Sequence, residues 1–132
     1  MSFMDSTPRI LVLDDEPMIL LDLSVALRQA GYEPLTARSA SKALSITEAG
    51  GLSGAVLDVN LGGGKTCEGV AEALSAQGVP FLLHSGDLDR QGELIGRFGA
   101  RIVPKPAPGT KVADAVGELL AESRTDRLVG RG

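Results

Sequence analysis

The residues of this chain that are best suited to chemistry are acids, a hydroxyl and an amine, each of which follows a short apolar run. They are Asp14, Asp15, Asp58, Ser85 and Lys105. Carboxylates that are brought together repel one another and raise one another's pKa. A hard divalent cation relieves that repulsion, and Mg²⁺ prefers oxygen ligands while it keeps several waters. If the fold gathers these residues, they predict a magnesium site.

The same residues also suit a phosphoryl group carried by Asp58. Mg²⁺ and the ammonium of Lys105 would neutralise the charge of that group, and the hydroxyl of Ser85 would donate a hydrogen bond to it. Positioning and charge neutralisation of this kind account for most of the catalysis of phosphoryl transfer. The residue types therefore favour Asp58 as a phosphoacceptor.

The glycine-rich stretch after Asp58 suggests a different function, nucleotide binding. A phosphate-binding P-loop has the pattern Gly-x-x-x-x-Gly-Lys-[Ser/Thr]. Gly64, Lys65 and Thr66 match the end of this pattern, but Val59 stands where its first glycine is required. We therefore interpret the stretch as a flexible loop beside Asp58.

The chain alternates apolar runs with amphipathic ones, which is the pattern of repeated strand–helix units. The predicted strands are residues 9–14, 33–37, 54–59, 79–85 and 100–104. Of the five predicted helices, the one over residues 88–98 is the weakest, because Gly92 and Gly96 each cost about 1 kcal/mol relative to alanine. Five such units with right-handed crossovers predict an α/β fold with a doubly wound, five-stranded parallel sheet. The reactive residues then meet at the carboxyl edge of that sheet.

Length and composition indicate one domain over residues 8–122, with flexible termini at 1–7 and 123–132. The net charge of −4 gives no general attraction to nucleic acid or to an anionic membrane. The apolar runs are too short to cross a bilayer, and the first residues lack the pattern of a signal peptide. A single cysteine, Cys67, fits a reducing cytoplasm, which is the predicted location.

The reactive residues at the strand ends, with Pro106 directly after Lys105, resemble the receiver domain of bacterial two-component response regulators. The resemblance covers residues 8–122. It implies a flavodoxin-like (βα)5 fold with strand order 2-1-3-4-5.

The resemblance also implies roles for the acidic residues. Asp58 would be the phosphoacceptor and would contribute to the Mg²⁺ site. Asp15 would bind the cation directly, Asp14 chiefly through water, and Asn60 through its backbone carbonyl. Magnesium is therefore the implied cofactor.

Roles for residues of the last two strands follow from the same resemblance. Ser85 occupies the hydroxyl position of the receiver switch, and Lys105 would contact the phosphoryl group. The bond from Lys105 to Pro106 is often cis in receivers. Gly86 occupies the small-residue position that leaves the phosphoryl site open, and Asn60 and Asp87 occupy the two variable positions that tune dephosphorylation.

The sequence departs from the receiver pattern in two places. Ile102 stands at the switch position, three residues before Lys105, where receivers have an aromatic residue. The stretch PFLLHSGD at 80–87 resembles an atypical receiver group that is often paired with HWE-type histidine kinases. In that group a threonine stands in place of Ser85, and a small residue in place of His84.

The function implied is that of a single-domain receiver, with no catalysis beyond its own phosphorylation and dephosphorylation. A histidine kinase or a phosphotransfer protein would phosphorylate Asp58. Because no output module follows residue 122, output would pass through protein–protein contacts, in a relay or as a phosphate sink, and a dimer is compatible with this. His84 alternates with Ser85 along its strand, so its side chain should point away from the site.

Two alternatives remain open. One is an interaction module that works without phosphorylation. The other is an aspartate-nucleophile phosphohydrolase, although such enzymes usually carry an Asp-x-Asp motif after the first strand. This chain has Asp14-Asp15 there instead, and Asp58 is followed by Val-Asn.

Overall fold

A computed structural model describes residues 7–62, 65–86 and 96–128, with side chains as far as residue 123. Its single sheet has five parallel strands. They are β1 (Arg9–Leu13), β2 (Glu33–Ala37), β3 (Gly54–Leu57), β4 (Phe81–Ser85) and β5 (Arg101–Pro104). Their order in the sheet is β2-β1-β3-β4-β5, so the predicted topology is confirmed.

Four helices lie within the described residues. They are α1 (Pro17–Gln29), α2 (Ala40–Ala49), α3 (Glu68–Ala76) and α4 (Gly109–Leu128). The helix predicted over residues 88–98 falls mostly outside the described part of the chain, although residues 96–98 are helical. None of the helices in the described ranges has an apolar stretch of the length that crossing a membrane requires.

The helix boundaries follow from local sequence. Pro17 occupies the first turn of α1, where its missing N–H has no helical partner to lose. At the start of α2, the hydroxyl of Ser39 accepts a hydrogen bond from the N–H of Lys42 at 3.2 Å and caps the helix. Gly31 follows α1 with a φ of 95°, a conformation that glycine adopts without strain.

The sheet separates two hydrophobic layers. Residues of α1 and α4 pack on one face, against Ile10, Val12 and Val56 among others. Residues of α2 and α3 pack on the other face, against the alternate strand residues. All of β3 is buried, as expected for a central strand covered on both faces. The ends of the strands and the loops that follow them meet at the carboxyl edge of the sheet, between these two layers.

The C-terminal helix is longer than predicted. It continues past residue 122 to Leu128, where the sequence analysis placed a flexible terminus from residue 123. Residues 123–128 contain neither glycine nor proline, so nothing in their backbone interrupts the helix. The helical backbone therefore extends into the segment that was predicted as a flexible terminus, and the flexibility of that segment stays a prediction. Residues 1–6 and 129–132 lie outside the described residues.

Candidate functional site at the carboxyl edge of the sheet

The acidic turn after β1 is held in place by the ends of its neighbours. The N–H of Asp14 donates to the carbonyl of Ala37, at 3.1 Å, and so extends the pairing of β1 with β2. The buried Asp14 carboxylate accepts a hydrogen bond from the N–H of Glu16 at 2.9 Å. Carboxylate oxygens of Asp14, Asp15 and Glu16 lie within 4.8 Å of one another. The turn thus presents a compact group of oxygen donors.

Asp58 follows β3 and lies beside this turn. Its N–H donates to the carbonyl of Leu13 at 2.8 Å, and its carboxylate accepts from the N–H of Asn60 at 3.3 Å. Burial, and then the negative charge of Asp14, raise the pKa of the Asp58 carboxyl from 3.8 to about 6, although Lys105 opposes the shift. Near neutral pH the carboxylate is still mostly ionised and therefore able to act as a nucleophile.

Lys105 connects the two acidic groups. Its Nζ lies 2.8 Å from Oδ2 of Asp14 and 3.4 Å from Oδ2 of Asp58. The backbone N–H of Lys105 donates to the carbonyl of Ser85 at 3.2 Å, and this hydrogen bond holds the end of β5 against the end of β4. Burial alone would lower the pKa of Lys105, but its contacts with Asp14 and Asp58 outweigh burial and raise it. The ammonium therefore stays charged between two carboxylates.

These residues surround an open pocket of about 510 Å³. We call it the phosphoryl pocket, because the sequence analysis predicts a phosphoryl group there. It is lined by Asp15, Glu16, Asp58, Asn60, Gly62, Ser85, Gly86 and Lys105. The prediction that the strand ends converge is therefore confirmed for Asp15, Asn60, Asp58, Ser85, Gly86 and Lys105. Asp14 is buried and does not line the pocket, but it forms an ion pair with Lys105, which does.

Three other candidate residues are Pro106, Ile102 and Asp87. Pro106 is joined to Lys105 by a cis peptide bond but is not among the residues that line this pocket. Ile102 lies on β5, half-buried, and packs against the α2–α3 layer. Asp87 lies outside the described residues. Of these three residues, the two that the structure describes do not line the pocket.

The backbone at Gly86 has space for a small side chain. A Cβ built at this position would meet the Cβ of Lys105 at 3.9 Å, which is an ordinary van der Waals contact. Alanine would therefore fit without displacing the lysine. The described contacts therefore do not demand glycine in particular, and the role of Gly86 in keeping the pocket open stays a prediction.

The loop after Asp58 folds back on itself. The N–H of Leu61 donates to the carbonyl of Lys65 at 3.0 Å, and the N–H of Lys65 donates to the carbonyl of Gly62 at 2.9 Å. Asn60 and Thr66 form an antiparallel bridge. These amides are used within the loop, whereas a P-loop directs its amides at a phosphate. The loop connects β3 to α3, as expected.

The side chain of His84 lies on the opposite face of the sheet from that of Ser85, the next residue of β4. His84 pairs with Val103, which belongs to the layer formed by α1 and α4. Its side chain is 3% exposed and is absent from the lining of the phosphoryl pocket. The prediction that it points away from that pocket is confirmed.

Sequence reasoning gave no role to Glu16. The structure adds its carboxylate to the acidic cluster and to the lining of the pocket. The signal was its position directly after Asp14-Asp15 at the end of a strand. An exposed acid at the start of a helix is so common, however, that adjacency alone does not distinguish a ligand from a solvated side chain.

Comparison with solved structures agrees with this fold. A response regulator receiver domain protein (CheY-like) from Methanospirillum hungatei JF-1 is 24% identical, with a TM-score of 0.81, over 92% of this chain and 99% of that one. A response regulator receiver protein from Sinorhizobium medicae WSM419 is 26% identical, with a TM-score of 0.79, over 89% and 98%. NtrX from Brucella abortus is 24% identical, with a TM-score of 0.83, over 93% of this chain but 29% of its own.

No family model matches this chain, and no curated protein sequence matches it either. The fold is nevertheless defined by the solved neighbours, which include CheY-like response regulator receiver domains. The chain has the flavodoxin-like receiver fold of response regulators, with an acidic pocket at the carboxyl edge of its sheet.

The donor set fits a magnesium ion. The pocket offers carboxylate and carbonyl oxygens, which are the ligands that Mg²⁺ prefers, and it is open enough for the waters that Mg²⁺ retains. Burial, and then the negative charge of Asp14, keep the pKa of Asp58 above its ordinary value although Lys105 opposes them. A second cation would relieve the remaining repulsion.

Proposed function

We propose that the chain is a phosphoacceptor signalling domain that takes a phosphoryl group onto Asp58 in a Mg²⁺-dependent reaction. The observation that carries this proposal is the position of the Lys105 ammonium, 2.8 Å from Asp14 and 3.4 Å from Asp58, at the edge of an open acidic pocket. A nucleophilic carboxylate, a fixed cation and a hydroxyl at Ser85 are the groups that phosphoryl transfer needs.

In the transfer step, an oxygen of the ionised Asp58 carboxylate attacks the phosphorus of a phosphohistidine. The P–N bond breaks, its electron pair remains on the imidazole nitrogen, and an acyl phosphate forms on Asp58. Lys105 stabilises the charge on the phosphoryl oxygens, and the Ser85 hydroxyl donates to one of them. Water later attacks the phosphorus and regenerates the free carboxylate.

The magnesium ligands that we propose are Asp14, through water, and Asp15, Asp58 and the backbone carbonyl of Asn60. Glu16 is placed to add a further oxygen, directly or through water. When bound, Mg²⁺ supplies charge neutralisation for the transferring phosphoryl oxygens. Because Lys105 already pairs with Asp14, the cation would enter on the side of the pocket lined by Asp15 and Asn60.

The donor that we propose is a histidine kinase, of the HWE type, or a phosphotransfer protein. The exposed face of α1 supports a docking partner beside the pocket. Met18, Leu21 and Val25 are 76%, 58% and 44% exposed and recur along one face of the helix. An apolar stripe that begins four residues after Asp14 would bring an apolar helix of a partner next to Asp58.

The role that we propose is signalling through protein contacts in the cytoplasm rather than turnover of a substrate. Phosphoryl groups on Asp58 would either be passed along a relay or be drained from the kinase. The net charge of −4 supports protein partners over nucleic acid or a membrane surface. The half-buried Ile102 would have to move without the ring rotation of an aromatic switch residue.

The proposal is tested by intact mass spectrometry after incubation with acetyl phosphate. The wild-type chain should gain one phosphoryl group when Mg²⁺ is present and none when EDTA is present, and Asp58→Asn should gain none. Asp114→Asn, which removes an exposed acid on α4, is the matched control and should behave as wild type. Unmodified wild-type protein in Mg²⁺ would favour the interaction module, and steady release of phosphate from p-nitrophenyl phosphate would favour the phosphohydrolase.

A further inference from the structure

A second pocket lies on the other side of Lys105, between α1 and the start of α4. Its volume is about 360 Å³. It is lined by Glu16, Ile19, Asp22, Leu23, His84, Lys105, Pro106 and Ala107. It shares only Glu16 and Lys105 with the phosphoryl pocket, and neither Asp58 nor Ser85 reaches it.

The imidazole of His84 is buried against this pocket without a partner. The side chain is 3% exposed, and neither ring nitrogen has a hydrogen-bond partner among the described residues. Burial, followed by the charge of Lys105, lowers the pKa of His84, so the ring is neutral near pH 7. A neutral imidazole offers one donor and one acceptor, and leaving both unmade inside a protein is unfavourable. The ring is therefore suited to an occupant with polar hydrogens.

The pocket carries a negative mouth. Glu16 and Asp22 contribute carboxylates, while the one lysine in the lining, Lys105, is already paired with Asp14 and Asp58. The start of α4 adds a partial positive charge, but the Asp22 carboxylate offsets it by accepting a hydrogen bond from the N–H of Gly109 at 2.9 Å. Apart from His84, the remaining lining is aliphatic. Such a site favours a cation on an apolar stem.

The walls of the pocket are held in position before any ligand binds. A Cβ at Gly109 would lie 2.8 Å from the backbone oxygen of Asp22, so only glycine allows α1 and α4 to approach this closely. The hydrogen bond between the same two residues fixes the Asp22 carboxylate at the mouth. A preformed site loses little conformational entropy on binding.

We propose that this pocket binds an organic cation, a guanidinium or ammonium group on a short aliphatic stem. The cation lies beside Asp22 and Glu16 and donates a hydrogen bond to the His84 ring. The stem packs against Ile19 and Leu23. The cation comes either from a free small molecule or from an arginine or lysine side chain of a partner.

His84 makes the test direct, because it is the single histidine of the chain and its ring signals in an NMR spectrum are unambiguous. The full-length chain is titrated with n-butylguanidinium chloride and, separately, with n-butylurea, which has nearly the same shape but no charge. Ionic strength is matched with NaCl. The guanidinium should shift the His84 signals in a saturable way, and the urea should not.

Two variants locate the binding. Asp22→Asn keeps an oxygen that accepts from Gly109 but removes the charge, and it should raise the Kd for n-butylguanidinium about two- to fivefold. Glu48→Gln, which removes an exposed charge on α2 at the opposite face of the sheet, should leave the Kd unchanged. No saturable shift with the guanidinium, an equal shift with the urea, or an unchanged Kd in Asp22→Asn would overturn the proposal.

A capped tripeptide, acetyl-Gly-Arg-Gly-amide, distinguishes the two sources of the cation. Binding of the peptide as tight as that of n-butylguanidinium would support a partner side chain, whereas binding of the free cation alone would support a small molecule. Because the readout involves no phosphoryl transfer, it is independent of whether Asp58 is phosphorylated.

Discussion

The two pockets on either side of Lys105 bury polar groups in opposite ways. In the phosphoryl pocket, the buried carboxylates of Asp14 and Asp58 are paired with the lysine and with backbone N–H groups. In the second pocket, the buried ring of His84 has no partner among the described residues. Both carboxylates depend on one lysine, so removing Lys105 should cost much more free energy than removing an unpaired neutral ring. We therefore expect mutual pairing, rather than burial alone, to determine how much each polar group contributes to the stability of the fold.

The largest effect is expected for Lys105→Met, which leaves Asp14 buried without its cation. Removing one partner of a buried ion pair costs several kcal/mol. Part of this cost is offset here, because the two carboxylates can take up protons. We therefore expect a loss of about 3 kcal/mol in the free energy of unfolding. Urea denaturation in EDTA measures it. Lys111→Met, at an exposed lysine of α4, is the control and should change stability by less than about 0.5 kcal/mol. Equal effects of the two variants would remove the distinction between the pockets.

Asp58→Asn should have an effect of opposite sign. The folded-state pKa of Asp58 is raised to about 6, so the stability linked to its protonation is present below about pH 4 and is lost as the pH rises through about 6. Without metal, the variant should therefore be more stable than wild type by about 1–3 kcal/mol at about pH 8, and the difference should shrink towards about pH 4. Urea denaturation in EDTA across this range measures it. A variant less stable than wild type at the higher pH would contradict the raised pKa.

Magnesium should stabilise the wild-type chain by a similar or smaller amount, about 1–2 kcal/mol when its concentration is ten- to thirtyfold above the Kd. The reason is that a second cation compensates the carboxylates that Lys105 does not. The melting temperature with and without MgCl₂ measures this effect. Asp15→Asn should abolish it, and Asp114→Asn should not. A partial loss in Glu16→Gln would establish Glu16 as a contributor to the site.

The smallest effect is expected for His84→Leu. A leucine of similar volume removes two unpaired ring nitrogens from the interior, so stability should rise by up to about 1 kcal/mol or stay unchanged. Urea denaturation measures this change in stability. The variant for comparison is Leu82→Ala, which leaves a cavity in the same layer and should cost about 2–5 kcal/mol. A loss in His84→Leu comparable to that in Leu82→Ala would mean that the ring is paired after all.

Sequence reasoning reached the fold and most of the phosphoryl pocket because both follow from local patterns. A buried strand that ends in an acid, repeated along the chain, places Asp15 and Asp58 at the same sheet edge once the strands are parallel. The end of α4 was missed, because residues 123–128 have little apolar content and yet contain nothing that stops a helix. Low apolar content in the sequence therefore did not reveal that the helix continues through these residues.

The second pocket could not be predicted from the sequence. It depends on the contact of Asp22 with Gly109, residues 87 positions apart, and on a close approach of two helices that only a glycine permits. Neither residue belongs to a pattern with a chemical meaning of its own. His84 was correctly predicted to face away from the phosphoryl pocket, but its lack of a partner is a property of the packed interior and not of its position along the strand.

The most direct test of the central claim is to locate the phosphoryl group. Borohydride reduces an acyl phosphate on aspartate to homoserine, and peptide mapping by mass spectrometry then identifies the modified position. After incubation with acetyl phosphate and Mg²⁺, we expect homoserine at position 58 and unmodified acids at Asp14, Asp15 and Glu16. Reduction at any of those three positions, or phosphorylated protein with no reducible acyl phosphate, would contradict the assignment of Asp58 as the acceptor.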